Sequence, residues 1–523
     1  MKRHHLLFLA VCSSLALMPS AARAQAFGLN ELGSCSFARG FSTTSAPCND
    51  ASVVFWNPGA AAGMKGNSLL VGAAAIAIKA KFTRDSARGQ HEGDVPLAIV
   101  PHIFYNRSMG DRMAVGFGLY VPYGLTSQWK DDFPGRFLAK KAALSSIYIQ
   151  PNFAMSFKGG KWMLGGGPVF GHSTVELIQG ADLSDQIASV ITTATTRTVL
   201  RFSQLGIAKR TEFARATLTG SANSFGLNVG GMGKLTDKWT MGFRYLSSLM
   251  MNFDDAEAKF EQKATGITFA TGNPLGYPGG TLFDTLTSIR SRFCTTNSGT
   301  MPVAPGAVPG SAQTCAAKGL LGNQSVKTRI PHPDQFQVGF AYTGFEGWLI
   351  AVDYELTGWR KLRELHVNFS NDSINTAATT NPNTSGLCPA TVTVGEVCDY
   401  DMLDREILQD YNNTSSIRVG AEKTMKNGWL VRFGFAGVAS AAPDETVTPL
   451  LPEQDRSYWS VGSAFPLIKD KVTLDATYGL VLGSGRRGRI DDRFNRSVSG
   501  LSMNSGIYDL SAHVLSFSLK ANF

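Results

Sequence analysis

The last nine residues of the chain, 515–523, alternate strictly between apolar and polar side chains. A period of two places successive side chains on opposite faces of a β-strand. In a strand that crosses a membrane as part of a barrel, one face meets lipid and the other meets the lumen. The pattern therefore predicts a transmembrane barrel strand, with a soluble antiparallel strand that buries one face as the alternative.

The first 24 residues have the pattern of a secretory signal peptide. Basic residues follow Met1, an apolar run covers 6–18, and Ala-Arg-Ala at 22–24 forms a small-residue cleavage site. Cys12 lies inside the apolar run without the context of a lipoprotein cleavage site. No later stretch has the ~18 uninterrupted apolar residues that a membrane-spanning helix needs. An exported membrane protein without such helices has to be a closed barrel, because backbone groups facing hydrocarbon must be paired internally.

Two kinds of connection separate the alternating segments. Short turns rich in Gly, Asn and Asp are predicted at 106–111, 159–160, 236–237, 344–347, 426–428 and 469–470. Longer loops are predicted near 83–94, 123–144, 178–220, 251–333, 360–415, 441–456 and 484–506. Six turns and seven loops predict fourteen antiparallel strands in an all-β barrel, which places both termini on the periplasmic side and the long loops outside.

The residues between the cleavage site and the first strand do not alternate. Residues 25–66 are rich in Gly, Ala and Ser and are too long for a simple tail, so we expect them to fold into the lumen as a plug. Strand 348–356 carries Asp353 and Glu355 on its inward face, which favours a hydrated lumen. The predicted division is a signal peptide at 1–24, an N-terminal hatch at 25–66 and a barrel at 67–523.

Six cysteines remain after signal cleavage, as three pairs that are close in sequence. An oxidising compartment favours disulfides between the members of each pair, and metal binding is the weaker alternative because no pair has C-x-x-C spacing. The pairs are Cys35 with Cys48, Cys294 with Cys315, and Cys388 with Cys398. The net charge of +9 falls to +6 when Lys2, Arg3 and Arg23 leave with the signal peptide, and this value is compatible with anionic lipid headgroups and gives no indication of nucleic-acid binding.

Several short motifs, in order along the mature chain, resemble the FadL/TodX family of outer-membrane transporters for long-chain fatty acids and hydrocarbons. They are Ala-Phe-Gly-Leu-Asn-Glu at 26–31, the segment 49–59 ending in Asn-Pro-Gly, Val-Pro-Tyr-Gly-Leu at 121–125 with Gly-Arg-Phe at 135–137, the strand start 239–247, and Leu-Pro-Glu-Gln-Asp-Arg at 451–456. The resemblance implies a fourteen-stranded barrel plugged by an N-terminal hatch and passive uptake of a hydrophobic ligand. Outer loops would capture the ligand, and an inner pocket would hold it until it left sideways through the wall.

The same resemblance assigns two segments to gating. The hatch tripeptide falls on Asn57, Pro58 and Gly59, and the strand kink that opens the wall falls on Pro122, Tyr123 and Gly124. Members of the family usually have alanine where this chain has Gly59, so we expect a looser hatch or a different gating detail. Independently of the resemblance, Pro-x-Gly at the end of a strand predicts a local break in the ladder, with simple strand termination as the alternative.

Ligand capture is expected in the long loops, above all 178–220 and 251–333. Apolar residues at helical spacing after Ser184 predict a short capped amphipathic helix, and cations with nearby apolar residues suit an amphiphile that carries a carboxylate. The candidates are Ile187, Val190, Ile191, Arg197, Arg201, Phe202, Phe213 and Arg215, together with lumenal Arg244, Arg432 and Arg456. Binding of lipopolysaccharide phosphates is the alternative role for the loop cations.

The sequence contains no recognisable catalytic motif, so an enzyme is not expected, and neither a cofactor nor a metal is predicted. Expected partners are a hydrophobic small molecule, outer-membrane lipid with lipopolysaccharide, and the barrel-assembly machinery, whose recognition signal the terminal Phe523 resembles. A closed barrel has no strand edge that requires a second copy, so a monomer is expected. The leading hypothesis is passive transport of long-chain fatty acids. The alternatives are an importer of aromatic or alkane hydrocarbons, a general hydrophilic porin and a surface adhesion barrel.

Overall fold

The structure is a computed structural model of the chain. It describes residues 27–85, 89–182, 184, 187–192, 197–273, 278–282, 323–370, 405–488 and 505–523. The signal peptide predicted at 1–24 lies outside these residues, as do Cys294, Cys315, Cys388 and Cys398. Their predicted cleavage and pairing stay predictions.

Antiparallel strands make up most of the described chain. In order they are β1 (Asn67–Arg84), β2 (Gln90–Glu92), β3 (Ala98–Met109), β4 (Met113–Gln128), β5 (Lys141–Phe157), β6 (Trp162–Asp182), β7 (Ile187–Thr192), β8 (Arg197–Arg201), β9 (Glu212–Lys234), β10 (Trp239–Leu246), β11 (Leu249–Gln262), β12 (Gln324–His332), β13 (Gln335–Tyr342), β14 (Trp348–Thr357), β15 (Glu364–Phe369), β16 (Arg405–Leu408), β17 (Thr414–Thr424), β18 (Leu430–Val438), β19 (Arg456–Ile468), β20 (Val472–Gly483), β21 (Arg486–Gly488) and β22 (Gly506–Asn522). Among the described residues, no helix is long and apolar enough to span a membrane.

The sheet closes on itself because β1 pairs with β22 along its whole length, from Ser68 opposite Asn522 to Arg84 opposite Gly506. Strands β10 and β11 together form one wall strand, and so do β12 and β13, while β2, β15, β16 and β21 extend the wall at its outer rim. The barrel therefore has fourteen antiparallel strands, as the count of turns and loops predicted. Phe523 follows the last strand, and its backbone exchanges two hydrogen bonds with Asn67 at the start of the first.

Several strands run further than the sequence analysis predicted. The loops placed at 178–220 and 251–333 are shorter, because β6 pairs with β9 as far as Asp182 opposite Glu212, and β11 pairs with β12 as far as Ala258 opposite Gln324. The predicted helix after Ser184 is wrong: Ile187, Val190 and Ile191 lie in β7, which pairs with β8 as a separate hairpin. The residues there are mostly β-branched, which favours a strand over a helix.

The lower half of the barrel is apolar outside and polar inside. Exposed Trp162, Trp239 and Trp348 each begin a strand after a short turn, and exposed Trp429 directly precedes β18, as expected for an aromatic girdle at one membrane interface. Facing inward on β14, Asp353 and Glu355 are buried. This alternation satisfies the lipid on one face and leaves hydrogen-bonding groups for the contents of the lumen on the other.

Near the outer rim the polarity of the two faces is reversed. On β11, Phe253 and Phe260 face inward and are buried, whereas Glu257 and Lys259 point outward. The neighbouring β12 buries Val326. The outer part of the wall therefore stands in water on its outside and encloses an apolar interior.

The N-terminal segment, residues 27–66, fills the lower lumen, and we call it the plug. It contains short helices at Ser34–Ala38 and Val53–Trp56 and a 3-10 helix at Pro58–Gly63. The predicted disulfide between Cys35 and Cys48 is present. Both sulfur atoms are used in it, so these cysteines offer no thiolate to a metal.

Inward-facing glycines let the plug lie directly against the wall. A side chain at Gly434 would collide with the backbone of Gly40, and one at Gly242 would collide with the backbone of Thr44. Polar contacts complete the fit: the amide of Thr44 donates to Asp353 Oδ2 at 2.7 Å, and the Ser34 hydroxyl lies 2.8 Å from that of Ser516. The inward carboxylate that the sequence placed in a hydrated lumen binds the plug instead.

Candidate functional site

The ladder between β3 and β4 ends at His102 opposite Tyr120, well before either strand meets the outer rim. Two prolines, Pro101 and Pro122, lie just beyond this last pair and have no amide hydrogen to donate. On its other side β4 continues beside β5, but with one extra residue between Tyr120 and Tyr123. The Pro-x-Gly motif thus forms a β-bulge with a break in the wall beside it, and simple strand termination is wrong because β4 continues to Gln128.

The plug takes the place of the missing strand at this break. The amide of Leu29 donates to the carbonyl oxygen of Pro122 at 2.8 Å, and the amide of Gly124 donates to that of Phe27 at 2.9 Å. Between these bonds, Gly28 lies opposite Tyr123 in an antiparallel bridge. The start of the plug therefore pairs with the kinked residues themselves, and it covers the break from inside.

A cavity of 350 Å³ extends from the plug to this break, and we call it the wall cavity. Its inner end is lined by Leu29 and Glu31 of the plug, and its outer end by Ala98 and Ile99 of β3 together with Gly124 of β4. Ile99 is 58% exposed on the outer surface of the barrel. One residue therefore contacts both the cavity and the lipid-facing surface, so only a thin part of the wall separates the two.

Above the break, residues between β2 and β3 bridge the gap. The amide of Gly93 donates to the carbonyl oxygen of Ala80 at 2.8 Å, and the amide of Asp94 donates to that of Gln128 at 2.8 Å. These bonds connect β1 to β4 across the missing part of the ladder. The opening is thus limited to the stretch between this bridge and the pair His102–Tyr120.

A second, smaller cavity of 80 Å³ lies in the outer lumen, and we call it the outer cavity. Its lining is almost entirely apolar and includes Leu177, Leu218, Ile330, Leu365, Ile407 and Leu450. It shares Leu125, Leu144 and Leu451 with the wall cavity. The two cavities are therefore neighbours, and together they follow the apolar interior down from the outer rim to the break in the wall.

Phe27, the first described residue of the plug, lines the outer cavity. Its ring packs edge-on against Trp359 at 4.7 Å, against His332 at 5.9 Å and against Tyr123 at 6.0 Å between centroids. The Tyr123 hydroxyl donates to the carbonyl oxygen of Pro333 at 2.8 Å. Edge-to-face contacts of this kind add to the free energy of burial, so the start of the plug is held by its side chain as well as by its backbone.

Charged groups occupy one side of the wall cavity. Glu453 is buried, and its Oε2 accepts hydrogen bonds from the amides of Ala441 and Ala442 at 2.9 and 2.7 Å. Burial raises the pKa of Glu453 to about 7, although these amides and the nearby Arg456 oppose the shift. Burial likewise raises the pKa of Glu31. Arg456 supplies the cation among the residues that line this cavity.

Of the three lumenal arginines predicted to contact ligand, Arg456 alone lines either cavity in the described part of the chain. Arg244 is buried below them, where its guanidinium lies 4.1 Å from the Phe55 ring and donates to Gln335. Arg432 is paired with Glu422 and with Asp475. Arg244 thus joins the plug to the wall, and Arg432 joins neighbouring wall strands to one another. Sequence reasoning missed both roles because it could not place the plug and the strands against each other.

A similar role falls to Arg418, which the sequence analysis did not single out. Its side chain is fully buried, forms an ion pair with Glu355 and lies near the rings of Phe41 and Trp56. Glu453 was also missed, although it belongs to the motif 451–456. A cation at alternate strand positions opposite an inward carboxylate is the signal that could have identified Arg418.

The predicted hatch tripeptide lies deep in the lumen. Asn57 donates through its side chain to the carbonyl oxygens of Thr44 at 2.6 Å and Gly231 at 3.1 Å. Gly59 lies against Gly230 and Leu164, where a Cβ would collide with wall backbone. The structure thus shows close packing at residue 59, which gives no support to the expectation of a looser hatch.

The outer-loop candidates are divided between two places. Arg197 and Arg201 belong to β8, and Phe202 follows it in a 3-10 turn, while Ile187, Val190 and Ile191 belong to β7; the orientation of these side chains is outside what the structure describes. Phe213 is buried on β9. Arg215 pairs with Asp131 at 2.9 Å. Neither Phe213 nor Arg215 is among the residues that line the wall cavity or the outer cavity.

Comparisons with known proteins agree with this architecture. The sequence profile of the family described as outer membrane protein transport protein (OMPP1/FadL/TodX) matches residues 15–523. The chain belongs to this family. It is therefore an outer-membrane protein of a family of transport channels for fatty acids or hydrophobic aromatic compounds, and not an enzyme.

Relatives of known name are distant but similar in length to this chain. The 47 kDa outer membrane protein of Pasteurella multocida is 22% identical over 90% of this chain and 91% of its own length. The long-chain fatty acid transport protein of Escherichia coli is 20% identical over 88% of this chain and 89% of its own.

Solved structures share the fold. The structure of a Pseudomonas aeruginosa FadL homologue aligns with a TM-score of 0.66 at 17% identity, covering 95% of this chain and 100% of the homologue. The toluene transporter TodX of Pseudomonas putida aligns with a TM-score of 0.58 at 13% identity, covering 95% and 100%. At these identities the likeness shows the barrel fold alone.

Proposed function

We propose that this OMPP1/FadL/TodX protein carries long-chain fatty acids or similar hydrophobic compounds across the outer membrane by diffusion. The ligand is captured at the outer loops, occupies the outer cavity and then the wall cavity, and leaves sideways into the membrane at the break between β3 and β4. Movement of the start of the plug, residues 27–31, opens that exit. No energy-coupling partner is required.

The observation that carries this proposal is the position of the wall cavity, which joins the apolar interior to a break in the barrel wall. Burial along such a path lowers the free energy of a hydrophobic ligand, by about 25 cal/mol for each Å² of apolar surface that is removed from water. A sideways exit also spares the ligand a passage through water below the plug. The unpaired backbone of β4 does not face lipid directly because the plug pairs with it, which is consistent with a closed resting state.

A general porin is not favoured, because the plug occupies the lower lumen and its contacts with the wall are buried. A hydrocarbon importer remains the second candidate function. Phe27 favours it, since its ring lines the outer cavity and offers an aromatic contact to a flat ring. The cation at the wall cavity, Arg456, favours a fatty acid instead, because a partly buried arginine lowers the free energy of a bound carboxylate and offers nothing to an alkane or toluene.

The test is uptake of radiolabelled oleate, toluene and a small sugar by a Gram-negative host that lacks its own such transporter. Cells with this protein are compared with cells that carry Gly124→Val. A side chain at Gly124 would point at the Leu29 side chain, 2.8 Å away, so valine fills the wall cavity at the exit. Gly437→Val is the matched control, since a Cβ there meets only ordinary contacts. Surface expression is measured for each variant.

We expect oleate uptake that Gly124→Val abolishes and Gly437→Val preserves. Toluene uptake without oleate uptake would move the assignment to hydrocarbon import. Sugar uptake without either would contradict a plugged transporter and indicate a porin. Oleate uptake that is unchanged in Gly124→Val would contradict the sideways exit while leaving fatty acid transport in place.

A further inference from the structure

The wall cavity has a polar corner that its apolar lining does not explain. Glu453 and Arg456 both line it, and they come from one short segment that joins the loop 439–455 to β19. Glu453 is 3% exposed, whereas Arg456 is partly buried. Burying the carboxyl group of Glu453 in its charged form, without full hydrogen bonding, is strongly unfavourable for folding.

The two oxygens of Glu453 differ in their surroundings. The amides of Ala441 and Ala442 both donate to Oε2, and these bonds fix the side chain in place. Oε1 is buried and has no hydrogen-bond partner among the described residues. A buried oxygen left without a partner in an otherwise well-bonded site is the position where a ligand group is to be expected.

We propose that Glu453 and Arg456 form a binding site for the carboxylate headgroup of the ligand, with the hydrocarbon chain in the apolar remainder of the wall cavity. Arg456 supplies the positive charge. Glu453, in its protonated form, donates a hydrogen bond from Oε1 to the bound anion. The inference rests on the proposed function, and it adds a residue pair that distinguishes acids from neutral chains.

Protonation makes chemical sense at this position, because an ionised Glu453 would repel the anion and has no donor to offer. The pKa of about 7 places the change of charge inside the physiological range. Binding of an anion should therefore be tight below pH 7 and weaken as pH rises through that value. The titratable and charged groups that face Glu453 are Arg456 and Tyr458 of β19, Glu31 of the plug, Arg486 of β21, Asp455 beside it and Tyr411 before β17.

The test is equilibrium binding of two twelve-carbon probes to the full protein in lipid nanodiscs, with binding to empty nanodiscs subtracted. Dodecanesulfonate stays anionic at every pH used, so any pH dependence belongs to the protein. Dodecanol has the same chain without charge. Binding of each is measured at pH 6 and pH 8, and laurate competition at pH 6 shows that a carboxylate occupies the same site.

For the wild-type protein we expect affinity for dodecanesulfonate to fall about tenfold from pH 6 to pH 8, while dodecanol binding stays constant. Glu453→Gln keeps a donor at all pH values, so it should bind dodecanesulfonate equally well at both. Arg456→Gln should weaken dodecanesulfonate binding about tenfold or more at pH 6, without effect on dodecanol. Retained dodecanol binding also shows that each variant has folded with an intact cavity.

Two further variants make the assignment specific. Glu31→Gln should retain the pH dependence; if it abolishes the dependence instead, Glu31 is the titrating group and the assignment of Glu453 is overturned. Arg487→Gln, at an exposed arginine paired with Asp85, controls for the loss of one positive charge and should change nothing. If both probes bind and none of the variants discriminates between them, the headgroup site is wrong and the transport proposal stands. If neither probe binds wild-type protein, the transport proposal itself fails.

Discussion

Gly59 of the plug lies directly against the backbone of Gly230 in β9, with no room for a methyl group between them. The nearby Leu164 backbone closes the same space from the other side. Glycine at this position therefore belongs to a series of close approaches between plug and wall, of which Gly40 against Gly434 is another.

Gly59→Ala should loosen the plug, because the added methyl group has to push backbone aside. Overpacking of this kind costs roughly 1–3 kcal/mol. We expect faster proteolysis within residues 27–66 and a lower unfolding temperature, measured on protein extracted in detergent. Gly437→Ala is the control, and equal stability of the two variants would contradict close packing at residue 59.

Tethering the plug to the kink should stop transport. Gly28 and Tyr123 are opposite each other in an antiparallel bridge, and the backbone hydrogen bonds lie on either side of them. They therefore form a non-hydrogen-bonded pair, the arrangement in which opposite side chains are closest and a disulfide fits. Cysteines at both positions should form a disulfide, block oleate uptake and allow it again after reduction. Tyr123→Cys alone and reductant on wild-type protein are the controls. Full uptake by the oxidised double variant would exclude movement of residues 27–31 from the mechanism.

The disulfide between Cys35 and Cys48 closes a loop within the plug. Removing it by replacing both cysteines with serine should destabilise the plug by about 3 kcal/mol, from the chain entropy released in its unfolded state. Amide hydrogen exchange separates the effects: protection should fall in residues 34–52 and stay high in the barrel strands. Uniform loss of protection would mean that plug and barrel unfold as one unit.

Arg418 and Glu355 form an ion pair that is buried between the wall and the plug. Replacing Glu355 alone with Leu leaves a buried cation without its partner, which costs roughly 3–5 kcal/mol. Replacing Arg418 with Met at the same time should restore most of the stability, since both charges are then gone. A double-mutant cycle of unfolding free energies measures this, and additive losses would show that the pair does not interact.

Much of the barrel could be read from the sequence because its strands obey a strict local rule. Alternation and turn residues depend on neighbours within a few positions, so the fourteen strands, the break at Pro122 and the cysteine pair in the plug were all predictable. The ends of β6, β9 and β11 were not, because near the outer rim the polarity of the two faces reverses, as on β11, where Phe260 faces inward and Lys259 outward. A prediction that expects apolar residues outside and polar residues inside along the whole strand assigns that stretch to a loop.

The site was only partly predictable, for a different reason. Arg456 was among the candidates. Glu453 was not, because its raised pKa results from burial in the folded protein, which no local sequence pattern indicates. Arg244 and Arg432 looked equally suited to a ligand, and only the three-dimensional contacts show that Arg244 packs on Phe55 of the plug and that Arg432 pairs with carboxylates of the wall. The plug has no periodic pattern, and its contacts with distant strands cannot be recognised from the residues of the plug or of the strands taken separately.

The reversed polarity near the outer rim has a consequence for the passenger. With Glu257 and Lys259 outside and Phe253 and Phe260 inside, the wall there extends beyond the bilayer as a sleeve that is polar on its outer face and apolar on its inner face. A greasy molecule that enters the sleeve is shielded from the hydrated sugars at the cell surface before it reaches membrane depth. In the transport path proposed above, this part of the wall would spare the ligand a crossing of the sugar layer, which is slow for a solute that is barely soluble in water.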